Sequence, residues 1–163
     1  MIGSATPKRR RDREITSRAE IDAVIRASDV CRLAFAVDNE PYLVPLSFGY
    51  DGSALYFHTA GSGRKIDCIE ANNRVCFEME RGVELIGHSE RACDWTFVFD
   101  SVIGFGTIEE LVSDDDKRRG LDRIMEHYSG RHWAIDPAAV GGVRVWRLAI
   151  GSVTGKRSRR DKG

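Results

Sequence analysis

Apolar residues in the middle of the chain recur at every second position, the period of a strand with one face buried. "VCRLAFAV" (30–37), "PYLVPLSFGY" (41–50) and "ALYFHTA" (54–60) are divided by the turn formers Asp38-Asn39 and Asp51-Gly52, which predicts a three-stranded meander. "RVCFEMER" (74–81) reads as a further strand, 82–93 as a loop, and "VRVWRLAI" (143–150) as the last strand. "DWTFVFDSVIGFGTIEEL" (94–111) is too long for one flat strand, so Gly104 and Gly106 are expected to bend it. Pro45 has no amide proton and must sit on an edge, at a bulge, or against something other than a strand.

Three stretches change to the helical period. Ser17-x-x-Glu20 is a capping box before Ile21, Val24 and Ile25. "GRKIDCIEANN" places Ile66 and Ile69 on one face, with Ser62 as its cap. Ser113 and "DDD" start a third helix whose stripe is Leu121, Ile124, Met125 and Tyr128, ending at Gly130. Long bent strands with few helices predict a mainly β fold with flanking helices, built as a barrel.

A chain of 163 residues with 42% hydrophobic content suits one domain. We read a basic flexible arm over 1–15, a single domain over 16–156 and a basic tail over 157–163. Lysine plus arginine and aspartate plus glutamate both total 25, which leaves no chain-wide case for nucleic acid or an acidic membrane. Cys31, Cys68, Cys76 and Cys93 form no CxxC pair and read as reduced, mostly buried small hydrophobes. With no signal-like segment and no apolar run long enough to span a bilayer, the cytoplasm is the expected compartment.

The stretch "YFHTAGSGRKID" (56–67) adds chemistry to this picture. Arg64 and Lys65 stand in the first turn of a helix, where the exposed amide protons amount to about half a positive charge and disfavour a cation by roughly 0.3–1 kcal/mol. Thr59 offers a hydroxyl, Gly61 and Gly63 allow close backbone approach, and the helix start offers free amides. Together these elements suit a phosphate dianion. The competing reading is an exposed turn whose basic side chains extend into solvent. No Walker or GxGxxG pattern is present. His127 and His132, and the loop pair His88 and Cys93, match no zinc spacing, so no metal is expected. Neither Ser101 nor Cys76 has an evident base. His58 precedes the turn and is either structural or part of the site. Trp95, Phe97 and Phe99 make one strand face aromatic, for which core packing is the simpler explanation.

In order, "PYLVPLSFGYDG", "LYFHTAGSGRKIDCIEANNRVCFEME" and "SVIGFGTIEEL" resemble the FMN-binding split-barrel family that includes pyridoxamine 5'-phosphate oxidase, and within it the nitroimidazole-resistance branch. The resemblance implies a six-stranded antiparallel split β-barrel and FMN as cofactor. It implies a phosphate grip by Thr59, Arg64 and Lys65 in a turn shaped by Ser62 and Gly63. Pro45, Leu46 and Ser47 would run beside the isoalloxazine ring with His58 near it, and Ser101, Val102 and Gly104 would add to the same pocket. It also implies a homodimer with flavin sites at the interface, within reach of Trp95 and Lys156 of the partner. The expected activity is FMN-dependent reduction of a small acceptor such as a nitro-compound. A non-catalytic flavin module, or a haem- or deazaflavin-binding protein with His58 or His88 as haem ligand, are the alternatives. The arginine-x-histidine element that grips pyridoxal phosphate is absent from the C-terminus, so that substrate is not expected.

Overall fold

The structure, a computed structural model, describes residues 11–87 and 90–158. Its strands are β1 (Glu14–Ile15), β2 (Cys31–Val37), β3 (Glu40–Leu46), β4 (Gly49–Tyr50), β5 (Ala54–Thr59), β6 (Arg74–Ile86), β7 (Thr96–Leu111) and β8 (Arg144–Ser158). The helices are α1 (Arg18–Arg26), α2 (Arg64–Ala71), α3 (Asp114–Ser129) and α4 (Pro137–Val140). The strands form one antiparallel sheet in the order β3-β2-β6-β7-β8-β5-β4, with β1 pairing β8. Setting aside the two-residue β1 and β4, six strands carry the barrel, as expected.

The two ends of this path, β3 and β4, are consecutive in the chain and separated by Ser47 and Phe48 alone. Three Cα steps of about 3.8 Å hold those edges within roughly 11 Å, so the sheet must curl, yet no ladder joins β3 to β4. That gap is the split in the barrel. The predicted meander is therefore wrong at its centre: "PYLVPLSFGY" is two strands that pair on opposite edges, β3 with β2 and β4 with β5. Pro45 lies on the edge strand, where a missing donor breaks no ladder bond.

Helix α3 seals the split. Tyr128 Oη accepts the Phe48 amide proton at 3.1 Å and donates to the Asp29 carbonyl at 2.8 Å. The Phe48 ring lies 4.2 Å from that of His127, whose Nε2 is 2.9 Å from the Ser28 carbonyl oxygen. Gly49 is pressed so closely to α3 that a β-carbon there would collide with the Arg123 and Ile124 backbone. Of the predicted stripe on α3, Ile124 is buried and Leu121 half-buried, whereas Met125 and Tyr128 remain exposed.

The barrel interior is filled by Leu33, Phe35, Leu55, Phe57, Phe77, Met79, Val102, Ile108, Trp146 and Leu148. The Asp51-Gly52 turn closes the β4–β5 hairpin. Burial works against the Asp51 carboxylate, but donors from Tyr56, Ser53 and Ala54 outweigh it and hold its pKa at about 2. The irregularity expected in β7 falls on its partner: the register shifts between Phe105 and Gly106 because Gly151 is an extra residue in β8, while β7 runs on from Thr96 to Leu111.

Several boundaries differ from expectation. The segment read as a loop from 82 continues β6 to Ile86, past a bulge between Arg81 and Glu84 with Gly82 at φ 62°. The end of the arm belongs to the sheet, Ile15 being buried and Glu14 in register with Lys156. The tail extends β8 to Ser158, because its backbone stays in register with β7 as far as Phe99. Residues 1–10 and 159–163, which hold most of the basic arm and tail, lie outside the described residues, as does His88. Trp95 and Phe97 are exposed and Phe99 is half-buried, so the aromatic face does not pack in the core. All four cysteines are free, and Cys31 alone of them is fully buried.

Candidate phosphate-binding turn and the outer sheet face

Strand β5 leaves the sheet at Thr59, and the chain turns through 60–63 into α2. The N-cap is Gly63 at φ 133° and ψ 163°, a conformation that an L side chain strains to adopt. This displaces the expected Ser62 cap: the turn occurs one residue later, and no side chain caps the helix. The Gly63 carbonyl takes the amide protons of Ile66 and Asp67. Those of Arg64 and Lys65 have no described acceptor and point out of the helix end. A β-carbon added at Gly61 or Gly63 would meet nothing within 4 Å, so the space over the turn is open.

The two cations differ in setting. The Arg64 guanidinium is exposed and lies over the Tyr42 ring, 4.4 Å from its centroid. Lys65 is half-buried, and burial lowers its pKa with no carboxylate to oppose the effect. Among the described residues neither cation makes an ion pair. By contrast, Arg144 on the neighbouring strand is bonded to Glu70 and Glu110. The two cations of the turn are therefore left without an ion pair among the described residues, Asp67 of the same turn included, while nearby charge is satisfied.

The Thr59 hydroxyl is already engaged within the protein. It is buried, donates to the Ala60 carbonyl at 2.8 Å and accepts the Trp146 indole proton at 3.0 Å. With its single proton committed, Thr59 holds the turn to β8. His58 points from the opposite face of β5, shares that face with Tyr56, and is exposed with no hydrogen bond among the described residues.

The other sequence candidates divide between the two faces of the sheet. Pro45 and Ser47 are exposed, while Leu46 packs toward the core. Val102 is buried, and Gly104 lies against Phe77 where a β-carbon would clash, so both face the interior rather than a ligand on the outer face. Ser101 faces outward, in register with Glu80 on one side and Lys156 on the other. Pro45 shares that face, through the row Pro45, Arg32, Glu78, Ile103 and Thr154. Trp95, just before β7, is exposed and packs its ring on Gly87. Arg64–Tyr42 links the turn to β3, the strand that carries Pro45. Tyr42 and the Arg32, Glu78 and Glu80 cluster were not singled out from sequence, because strand register alone brings them together.

A cleft of about 350 Å³ lined by Arg81, Val98, Phe99, Asp100 and Arg157 shares no residue with the turn. Both arginines are bonded to Asp100, whose carboxyl is lowered first by Arg157, so the cleft offers no free cation. Among the described residues no group of three histidine, cysteine or acidic side chains is placed to hold a metal ion, and no helix is long and apolar enough to cross a membrane.

Residues 17–157 match a protein-family model described as pyridoxamine 5'-phosphate oxidase. A proposed 5-nitroimidazole antibiotic resistance protein of Bacteroides thetaiotaomicron is 30% identical, with a TM-score of 0.77 over 88% of this chain and 86% of that one. An FAD-binding protein of Mesorhizobium loti is 26% identical, with a TM-score of 0.65 over 90% of this chain and 98% of that one. An FAD- and haem-binding protein of Mycobacterium smegmatis shares the fold at 21% identity, with a TM-score of 0.78 over 93% of this chain and 77% of that one. Among curated sequences, an uncharacterized protein of Rhizobium meliloti is 35% identical over 65 residues, which span 40% of this chain and 42% of that relative.

Proposed function

This chain belongs to the pyridoxamine 5'-phosphate oxidase family, and on that premise we propose that it is a flavoprotein that holds FMN by its phosphate at residues 61–65 and reduces a small oxidised acceptor. The observation that carries this reading is the turn itself: Arg64 and Lys65 form no ion pair among the described residues, not even with Asp67 of the same turn, two amides at the helix start have no described acceptor, and the space over Gly61 and Gly63 is open. A phosphomonoester brings close to two negative charges and three acceptor oxygens, which matches that set better than a singly charged diester does. FMN is favoured over FAD on this ground.

The protein's own part is binding and orientation. Arg64 and Lys65 would grip the phosphate, Gly61 and Gly63 would let it approach, and Pro45, Ser47 and Ser101 would border the ring. Bound FMN would supply the electron or hydride transfer. His58, turned away from Thr59 on β5, is not needed as an acid or base. A nitro-compound is the acceptor class suggested by the Bacteroides relative.

We also propose that two copies pair through the outer face of β2, β3, β6, β7 and β8. Leu43, Ile103 and Phe105 are exposed there, and Leu85 and Phe97 extend the apolar surface along the β6–β7 hairpin. A visible absorption spectrum of the purified protein, followed by mass analysis of the released cofactor, tests the cofactor assignment. FMN is expected; a haem spectrum, or FAD as the released species, would overturn it.

A further inference from the structure

Outside the turn, the densest charge on the outer face is an imbalance. Arg32 Nη1 lies 3.2 Å from Glu78 Oε2 and 2.6 Å from Glu80 Oε2, so one guanidinium serves two carboxylates. All three side chains are half-buried, and together they carry one net negative charge when both carboxyls are ionised. Burial, and then the neighbouring Glu80 carboxyl, hold Glu78 above the usual carboxyl range. Two acids around one cation form a pair that gains a proton readily.

Strand register places this pair inside the flavin site proposed above. Pro45 stands opposite Arg32, Arg32 opposite Glu78, and Glu80 opposite Ser101, all on the outer face. From Pro45 on β3 to Ser101 on β7 is about 14 Å at the usual strand spacing, with β2 and β6 between them. A flat ring bordered by both residues therefore lies over Arg32, Glu78 and Glu80.

We propose that Glu78 and Glu80 take up one proton when bound FMN is reduced and release it when the acceptor removes the electrons. The proposal rests on the flavin reading and adds the groups that follow the charge. An electron pair and one proton, delivered by a two-electron donor of the reduced-nicotinamide class, add one negative charge above the carboxyls. The pair balances that charge with a second proton, drawn from water. A nitro acceptor that then receives the electron pair and both protons becomes a nitroso compound and water.

The coupling has a defined sign. Negative charge over the pair favours its protonated form, so protons are bound between the pKa of the pair under oxidised FMN and the higher one under reduced FMN. Glu78 already starts above the ordinary carboxyl range, which moves this window toward neutral pH. The groups facing the pair are Arg32 on β2, the Cys31 and Cys76 thiols, and Ser101 and Ile103 on β7, with Lys156 and Glu14 farther along the row.

The test is spectroelectrochemical titration of the FMN-loaded full chain across the pH range, comparing wild type, Glu78→Gln and Glu80→Gln. Inside the window the wild type should bind one more proton per electron pair than either variant, a tenfold change in the reduction equilibrium per pH unit, or about 30 mV. Above it each variant should favour reduced FMN about tenfold more than the wild type does, which raises the potential by about 30 mV. Below it the potentials should converge, because the wild-type pair then carries the same charge as the variants. A second readout needs no variant: the reduced-minus-oxidised infrared spectrum of the wild type should gain the C=O band of a protonated carboxyl. Parallel potentials in all three proteins, or no such band, would overturn the role of the pair and leave the flavin reading standing. A wild-type chain that takes up no FMN would overturn both.

Discussion

The guanidinium of Arg64 rests on the ring of Tyr42 with its Cζ 4.4 Å from the centroid, which ties the first turn of α2 to the edge strand β3. Tyr42 is itself fixed by stacking on Phe35 at 6.0 Å between centroids. The ring thus holds a cation at a helix end that repels it. Arg64→Ala combined with Lys65→Ala should weaken FMN binding roughly a hundredfold or more, since each charge-assisted bond contributes about 1.5–3 kcal/mol. Tyr42→Leu should cost about two- to fivefold, the loss of an exposed cation–π contact. Fluorescence titration with FMN measures both, and a double variant with wild-type affinity would place the phosphate elsewhere.

Lys65 gives the binding a pH signature. Burial lowers its pKa because the charged form is disfavoured and no carboxylate compensates. A phosphate at the turn stabilises the cation, so binding draws a proton onto Lys65 wherever the free protein has lost it. FMN affinity should therefore fall as the pH rises through the depressed lysine pKa. Lys65→Arg, whose side chain stays charged, should flatten that fall. Equal slopes for wild type and variant would separate Lys65 from the phosphate.

Much of this architecture was legible in the chain. Period-two runs located the long strands, and Ser17 and Ser113 marked helix starts that the structure caps at those residues, whereas the bulge expected near Gly104 and Gly106 lies opposite them, at Gly151 of β8. The meander failed because pairing partners are set by barrel closure: nothing local to Ser47-Phe48 states that the chain passes there from one sheet edge to the other. At the turn, residue type singled out Arg64 and Lys65, which the structure leaves without an ion pair among the described residues. The engagement of Thr59 was not legible there, because its partner, Trp146, is supplied by a strand remote in sequence. Similarly, Val102 and Ser101 are adjacent in the chain but face opposite sides of β7, a distinction that alternation allows but does not orient.

Thr59→Val separates the structural role of that residue from a ligand role. The change leaves the buried Trp146 indole proton without its acceptor, at a cost of about 1–3 kcal/mol. The thermal midpoint should fall by roughly 2–8 °C for a chain of this size, with FMN affinity staying within a few-fold of wild type. A variant of unaltered stability that no longer retains FMN would show that the hydroxyl serves the phosphate after all.

Tyr128→Phe tests how the barrel is held shut where its ladder fails. The Tyr128 hydroxyl is both acceptor for the buried Phe48 amide and donor to the Asp29 carbonyl, so one oxygen links the β3–β4 crossover to the turn after α1. Removing it strands both backbone groups at the split, which should cost about 1–3 kcal/mol. Packing of Phe48 on His127 remains and should keep the fold intact. The sharpest readout is hydrogen exchange at the Phe48 amide, which should accelerate about tenfold or more. The amides of β6 and β7 should change less, since their ladders lie far from the split in the sheet order. FMN affinity should hold, because α3 seals the split while the proposed phosphate site lies at the start of α2. Unchanged protection at Phe48 would mean that packing alone closes the gap and that the hydroxyl bridge contributes nothing to it.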